Sequence, residues 1–220
     1  MKKVLGAIVL AVLVLSLSRM SAGQAATGSL DKQMFQAIEK GDFTAVLQLL
    51  DKGAHIDAQG KDGITALIAA SAMSKTDVVK QLLMKGANPD IKDSRGDTAL
   101  NFAVMVSDVE SVKLLLNKGA SVNLQEEGGL TPLMLGIVSG STEIVKLLLD
   151  KGANIDAKDK DGFTALMAAS GGGQLDLMKL LLDHGANIDA KSNNGTTALK
   201  LAEGNSKPES AALLRERGAK

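Results

Sequence analysis

At 220 residues the chain is long enough for one sizeable domain or an extended array, and its 45% apolar content allows a large core. Aromatic residues make up only 2%, and Trp, Tyr and Cys are absent. This excludes a disulfide framework and a thiolate metal site, and favours an aliphatic core of close-packed helices over a sandwich or barrel. Basic and acidic residues balance at 25 each, so there is no electrostatic reason to expect nucleic acid as a partner.

The first element is a targeting signal. Lys2 and Lys3 form a positive start, Val4 to Leu17 is an apolar run of fourteen, and the small residues Ser21, Ala22, Gly23, Ala25 and Ala26 follow. That order predicts a secretory signal peptide of bacterial type over residues 1–26, with the mature chain starting between Gln24 and Thr27. The run falls short of the roughly 20 apolar residues of a spanning helix, so stable membrane insertion after cleavage is not expected. The alternative is an uncleaved leader acting as an inner-membrane anchor. Without Cys, no lipoprotein can form. Cleavage removes Lys2, Lys3 and Arg19 and no acid, leaving 22 basic against 25 acidic residues. A periplasmic or secreted location is expected.

Beyond the leader one period organises the chain. Thr65, Thr98, Thr131, Thr164 and Thr197 recur every 33 residues. Leu67 to Leu199, Gly63 to Gly195 and Gly53 to Gly218 keep the same interval, with no insertion. Each period reads as two helices and a turn. Thr131-Pro132 is an N-cap followed by Pro at the first helical position, where its missing N–H costs nothing; the other copies have Ala there. After a break around Ser107 or Ser141, a second helix such as Ile144–Leu149 runs to Gly152, placed for a left-handed C′ residue. Lys52, Lys85, Lys118, Lys151, His184 and Arg217 precede these glycines and complement the helix dipole. A polar, turn-rich stretch such as 154–162 leads into the next repeat. One helix pair leaves a face open, so neighbours must stack.

The predicted boundaries are an N-terminal capping repeat at 29–61, repeats at 62–94, 95–127, 128–160 and 161–193, and a C-terminal capping repeat at 194–220. The first lacks the Gly-x-Thr start and begins Ser29-Leu30-Asp31, with Phe35 and Ile38 facing inward. The last carries Lys207, Glu209, Arg215, Glu216 and Arg217, suited to a solvated end.

Thr131-Pro132-Leu133 and its copies Thr65-Ala66-Leu67, Thr98-Ala99-Leu100, Thr164-Ala165-Leu166 and Thr197-Ala198-Leu199 resemble the signature of the ankyrin-repeat family, over about Leu30 to Gly218. The resemblance implies an all-α ankyrin-repeat solenoid of about six helix-turn-helix units. Where the family usually has His after that Leu, this chain has Ile68, Asn101, Met134, Met167 and Lys200, so the hydrogen bonds of that His are lost.

No catalytic equipment is legible. The two histidines, His55 and His184, lie four repeats apart in columns that account for both. Asp156, Asp159 and Asp161 precede Gly162, but aligning Gly162 with the glycine of a calcium-binding EF-hand loop puts Ala157 first and Ala168 twelfth, so the ligand pattern fails. Gly171-Gly172-Gly173, placed between paired helices, lacks the Lys-Ser/Thr of a phosphate loop. Arg95-Gly96-Asp97 spells an adhesion tripeptide, yet Gly96 belongs to the repeat. No serine, histidine and acid are disposed as a triad. The chain is therefore expected not to be an enzyme and to need no metal or cofactor.

What remains is a surface. Solenoids bind on their concave face, which in ankyrin proteins is built from turn tips and first helices. Carried over by column, the candidate protein-binding residues are Ile64, Met73, Met105, Val106, Leu130, Val138 and Phe163, and binding is expected to centre on the middle repeats around Met105, Leu130, Val138 and Phe163. These positions are short of charge in a chain that is 23% charged. The expected role is a non-catalytic protein–protein interaction scaffold in the bacterial cell envelope, acting as a monomer. The alternative is a structural or protective assembly component for an envelope enzyme.

Overall fold

A computed structural model describes residues 28–220; the predicted leader and its cleavage point lie outside them. The described residues form twelve α-helices and one 3-10 turn, and no strand. The chain divides into two compact units, the first ending at Ser121 and the second running Val122–Lys220.

The first unit contains α1 (Ser29–Glu39) with α2 (Phe43–Asp51), α3 (Ala66–Ala72) with α4 (Thr76–Met84), and α5 (Ala99–Met105) with α6 (Val109–Asn117). The 3-10 turn Lys61–Gly63 leads into α3. Besides the pairing, α3 packs on α5, α4 on α6 and α1 on α3. The second unit contains α7 (Pro132–Ser139) with α8 (Thr142–Asp150), α9 (Ala165–Gly172) with α10 (Leu175–Asp183), and α11 (Ala198–Gly204) with α12 (Pro208–Glu216). Here α9 lies between α7 and α11, and α10 between α8 and α12. In both units first helices stack on first helices, and second helices stack on second along α4–α6 and α8–α10–α12.

The local causes are the predicted ones. Each recurring threonine caps a first helix, its Oγ1 accepting the N–H three residues on at 3.2–3.4 Å. First helices are only seven or eight residues long when so capped, and α3 is buried along its whole length. That explains its run of small residues, because a helix covered on several sides cannot carry bulk on all of them. Second helices are amphipathic: α4 buries Val79, Leu82 and Leu83 and exposes Asp77, Lys80 and Gln81. They end in a Schellman turn, as where Gly152 N–H bonds to Leu149 O and Ala153 N–H to Leu148 O. The cationic column does more than face a helix end. Lys85 pairs with Asp51 at 2.5 Å and Arg217 with Asp183 at 2.8 Å, each one repeat back, while His184 Nδ1 donates to Leu180 O at 2.8 Å.

One reading changes. Gly171 and Gly172 do not lie between helices; they form the last turn of α9, and only Gly173 takes a left-handed conformation. The Thr164 cap and the packing of α9 between two neighbours outweigh the low helix propensity of glycine. The expected breaks around Ser107 and Ser141 are where the paired helices part: Ser107 and Gly140 take left-handed backbones, and Ser141 caps the helix that follows, its Oγ accepting Ile144 N–H.

A further column ties neighbours together. Asp57, Asp90, Asn123, Asp156 and Asp189 each accept the backbone N–H found 31 residues later, on Asn88, Ser121, Asn154, Asn187 and Lys220, at 2.8–2.9 Å. One buried polar atom in α3 reaches no partner, the Ser71 Oγ, on a residue 0% exposed. Ser71→Ala removes that uncompensated hydroxyl, so urea unfolding followed by circular dichroism should show unchanged stability or a gain of about 1 kcal/mol. A clear loss would mean that the hydroxyl is satisfied.

Candidate protein-binding surface

Turn tips are built from hairpins pinned by short polar side chains. Asp93 Oδ1 accepts the N–H groups of Arg95 and Asp97 at 2.9 and 2.8 Å, and Asp159 Oδ1 those of Asp161 and Phe163 at 3.0 and 2.8 Å. Adjacent tips bond through their backbones: Ser94 N–H to Asp62 O at 2.7 Å in the first unit, Lys160 N–H to Gly128 O at 3.0 Å and Asn193 N–H to Asp161 O at 2.9 Å in the second. Gln59 and Gln125 add side-chain bonds, each spanning its own hairpin and the next. These contacts hold the tips in place of the missing histidine. Only Asn101 among the residues at that position takes up side-chain hydrogen bonding of its own, donating to Asp97 Oδ1 at 3.0 Å. Ile68, Met134 and Met167 are buried apolar fillers.

The predicted surface residues are therefore not equivalent. In the first unit Ile64 is 6% exposed and belongs to the core, because its tip folds the side chain inward. Met73 is half-buried, its methyl 3.5 Å from where a Cβ on Gly41 would stand, so it leans over the preceding helix pair. Met105 and Val106 are half-buried at the end of α5. In the second unit Leu130 and Phe163 are half-buried at their tips. Val138 stands out at 51% exposed on α7. Along the neighbouring helices of that unit the same column is Gly171 and Gly204, with exposed Ala168 and Gly172 beside it, while the Gln174 side chain reaches across to Ile137 O at 2.8 Å. Column reasoning missed the most exposed large apolar side chain of the described residues, Met84 at 69%, because it lies on a second helix where the other repeats have Asp, Asn or Glu.

The alternative chemistries meet engaged groups. Asp156 is used by Asn187 N–H and Asp159 by its own tip. Among the described residues no group of three or more His, Asp or Glu side chains is placed to hold a metal. In Arg95-Gly96-Asp97 the aspartate is buried against Asn101, and Arg95 lies 5.8 Å from the Phe102 ring and 3.5 Å from Asp93, so the tripeptide is folded into the repeat. No helix among the described residues is long and apolar enough to cross a membrane.

The family model for ankyrin repeats, described in three copies, matches residues 34–126, 72–159 and 133–220. The chain belongs to the ankyrin-repeat family. Its all-helical stacks are the ankyrin solenoid, and ankyrin repeats are in general protein–protein interaction modules. A search of curated proteins finds no match to the chain.

Proposed function

We propose that this ankyrin protein is a non-catalytic scaffold of the bacterial cell envelope, exported by its leader and binding a partner protein through first helices and turn tips. The observation that carries the reading is Val138: a β-branched side chain left half in water on a first helix, in a column otherwise stripped to glycine within its unit. A partner side chain entering there desolvates Val138, and a few desolvated residues usually carry most of an interface's energy. In the first unit Met73, Met105 and Val106 offer a second low-charge surface, with adaptable thioethers.

The test takes the protein from a periplasmic fraction, reads its N-terminus and uses it as bait against envelope extract. A start between Gln24 and Thr27 and capture of a specific protein are expected. Val138→Asp should weaken that capture at least about tenfold, the usual cost of a hot-spot residue. The helical spectrum should not change, since the side chain is already half exposed. Lys146→Glu, on the outward side of α8, should leave capture intact. Recovery of intact Met1 in membranes would favour the anchored form. A folded Val138→Asp protein that binds as before would remove the first-helix surface from the proposal.

A further inference from the structure

Five times in the chain the rung described above runs from one repeat to the next. The first repeat departs from it. There the corresponding N–H, on His55, is accepted at 2.7 Å by Asp31 Oδ1, and Asp31 lies only 24 residues back, in the first turn of α1. The second carboxylate oxygen is also taken by His55, whose Nδ1 donates to Oδ2 at 2.8 Å. Asp31 is 2% exposed, whereas the His55 side chain is 73% exposed. A buried carboxylate thus has both oxygens engaged by one residue at the surface, and the bond fastens α1 to the turn after α2 within a single helix pair. We propose that Asp31 and His55 form an acid-released latch that closes the first helix pair on itself, so that α1 loosens ahead of the other helices when Asp31 takes up a proton.

Protonation makes one carboxyl oxygen an O–H donor with no acceptor facing it and removes the charge that strengthens both bonds from His55. Burial by itself raises the Asp31 carboxyl, but the side-chain bond, the backbone bond and the charge interaction with His55 together outweigh it and hold the carboxyl below its usual value of 3.8. The sign follows: a carboxylate more acidic in the folded state contributes stability above the ordinary value, and this is lost as pH falls through the folded one. The titratable groups on and around α1 are Lys32 and Glu39 on the helix, Lys40 at its end, Asp42 and Asp51 on the α2 side, and Lys52, Asp57, Lys61 and Asp62 in the connection. α3 carries none. Only His55 bears on the charge of Asp31. Because α1 also buries Met34, Phe35 and Ile38, release loosens the helix and does not unfold the protein.

Amide exchange of the protein as isolated from cells, corrected for intrinsic rates, reads the latch directly. As pH falls from neutral through the ordinary carboxylate range and below it, residues 29–39 should lose protection relative to α9, because the loosened state binds the proton more readily than the latched one. Asp31→Asn keeps an acceptor for His55 N–H but cannot titrate, and should show no selective loss in α1. If that variant does not fold, His55→Gln serves, since it keeps the backbone N–H and removes the ring; its acid response in α1 should shrink. Unchanged relative protection of α1 in the unsubstituted protein overturns the latch. So does the same selective loss in Asp31→Asn.

Discussion

Gly162→Ala should cost the second unit about 3–4 kcal/mol, while Gly152→Ala, one repeat-defining glycine away, should cost about 1–2 kcal/mol, both read from urea unfolding by circular dichroism. The two glycines share a left-handed backbone, with φ of +80° and +83°, so both substitutions incur the strain of an L-residue there, about 1–2 kcal/mol. They differ in surroundings. A Cβ on Gly152 meets nothing within 4 Å, whereas one on Gly162 would stand 2.7 Å from the backbone nitrogen of Asn193 and 2.5 Å from its Oδ1. The neighbour in the second case is backbone, which cannot rotate away. The two tips must part, giving up the bonds from Asn193 N–H to Asp161 O and from Asn193 Nδ2 to Lys160 O, each worth about 1 kcal/mol. Equal losses at the two sites would show that the tips do not rely on close approach.

Phe102→Ala is the other large effect, a loss of about 3–5 kcal/mol from the first unit. Phe102 is the largest fully buried side chain of the described residues, in the middle of α5, which packs on both α3 and α6. Its truncation leaves a void bounded by helices held from two directions, where collapse is hard. Arg95→Ala separates packing from the contact above the ring. The guanidinium sits 5.8 Å from the ring centroid and is about half exposed, so its removal should cost only about 0.5–1 kcal/mol. A Phe102→Ala protein that unfolds at the same urea concentration as the parent would contradict this account of the core.

Much of this fold was legible because its signals are local. A threonine that caps its own helix, a glycine at a helix end and an amphipathic second helix each report through a few consecutive residues, and a constant period multiplies the evidence. The parts that were not legible depend on what lies across the stack. Ile64 reads as a tip residue from its place after Gly63, but only the neighbouring chain decides that its side chain turns inward. Asp156 reads as a turn carboxylate in a polar stretch, since its bonding partner lies 31 residues away and no short-range pattern marks it or its counterparts in the other repeats. Asp31 is harder still, because it performs that task from a different offset. For the candidate surface, the columns identified which side chains share a helix position. They carried no information on how far each is covered, and that separates Val138 from Ile64.

The rung between repeats has one acceptor and one donor per period, set 31 residues apart, and this bears on how such a chain can change over generations. Gain or loss of a whole 33-residue block by recombination preserves each remaining donor–acceptor pairing, because the joined ends present the same groups in the same register. Gain or loss of a few residues between positions 57 and 88 shifts every contact in that step at once. Whole copies should therefore be easier to gain or lose than single residues within one, and relatives should differ in length by multiples of the period.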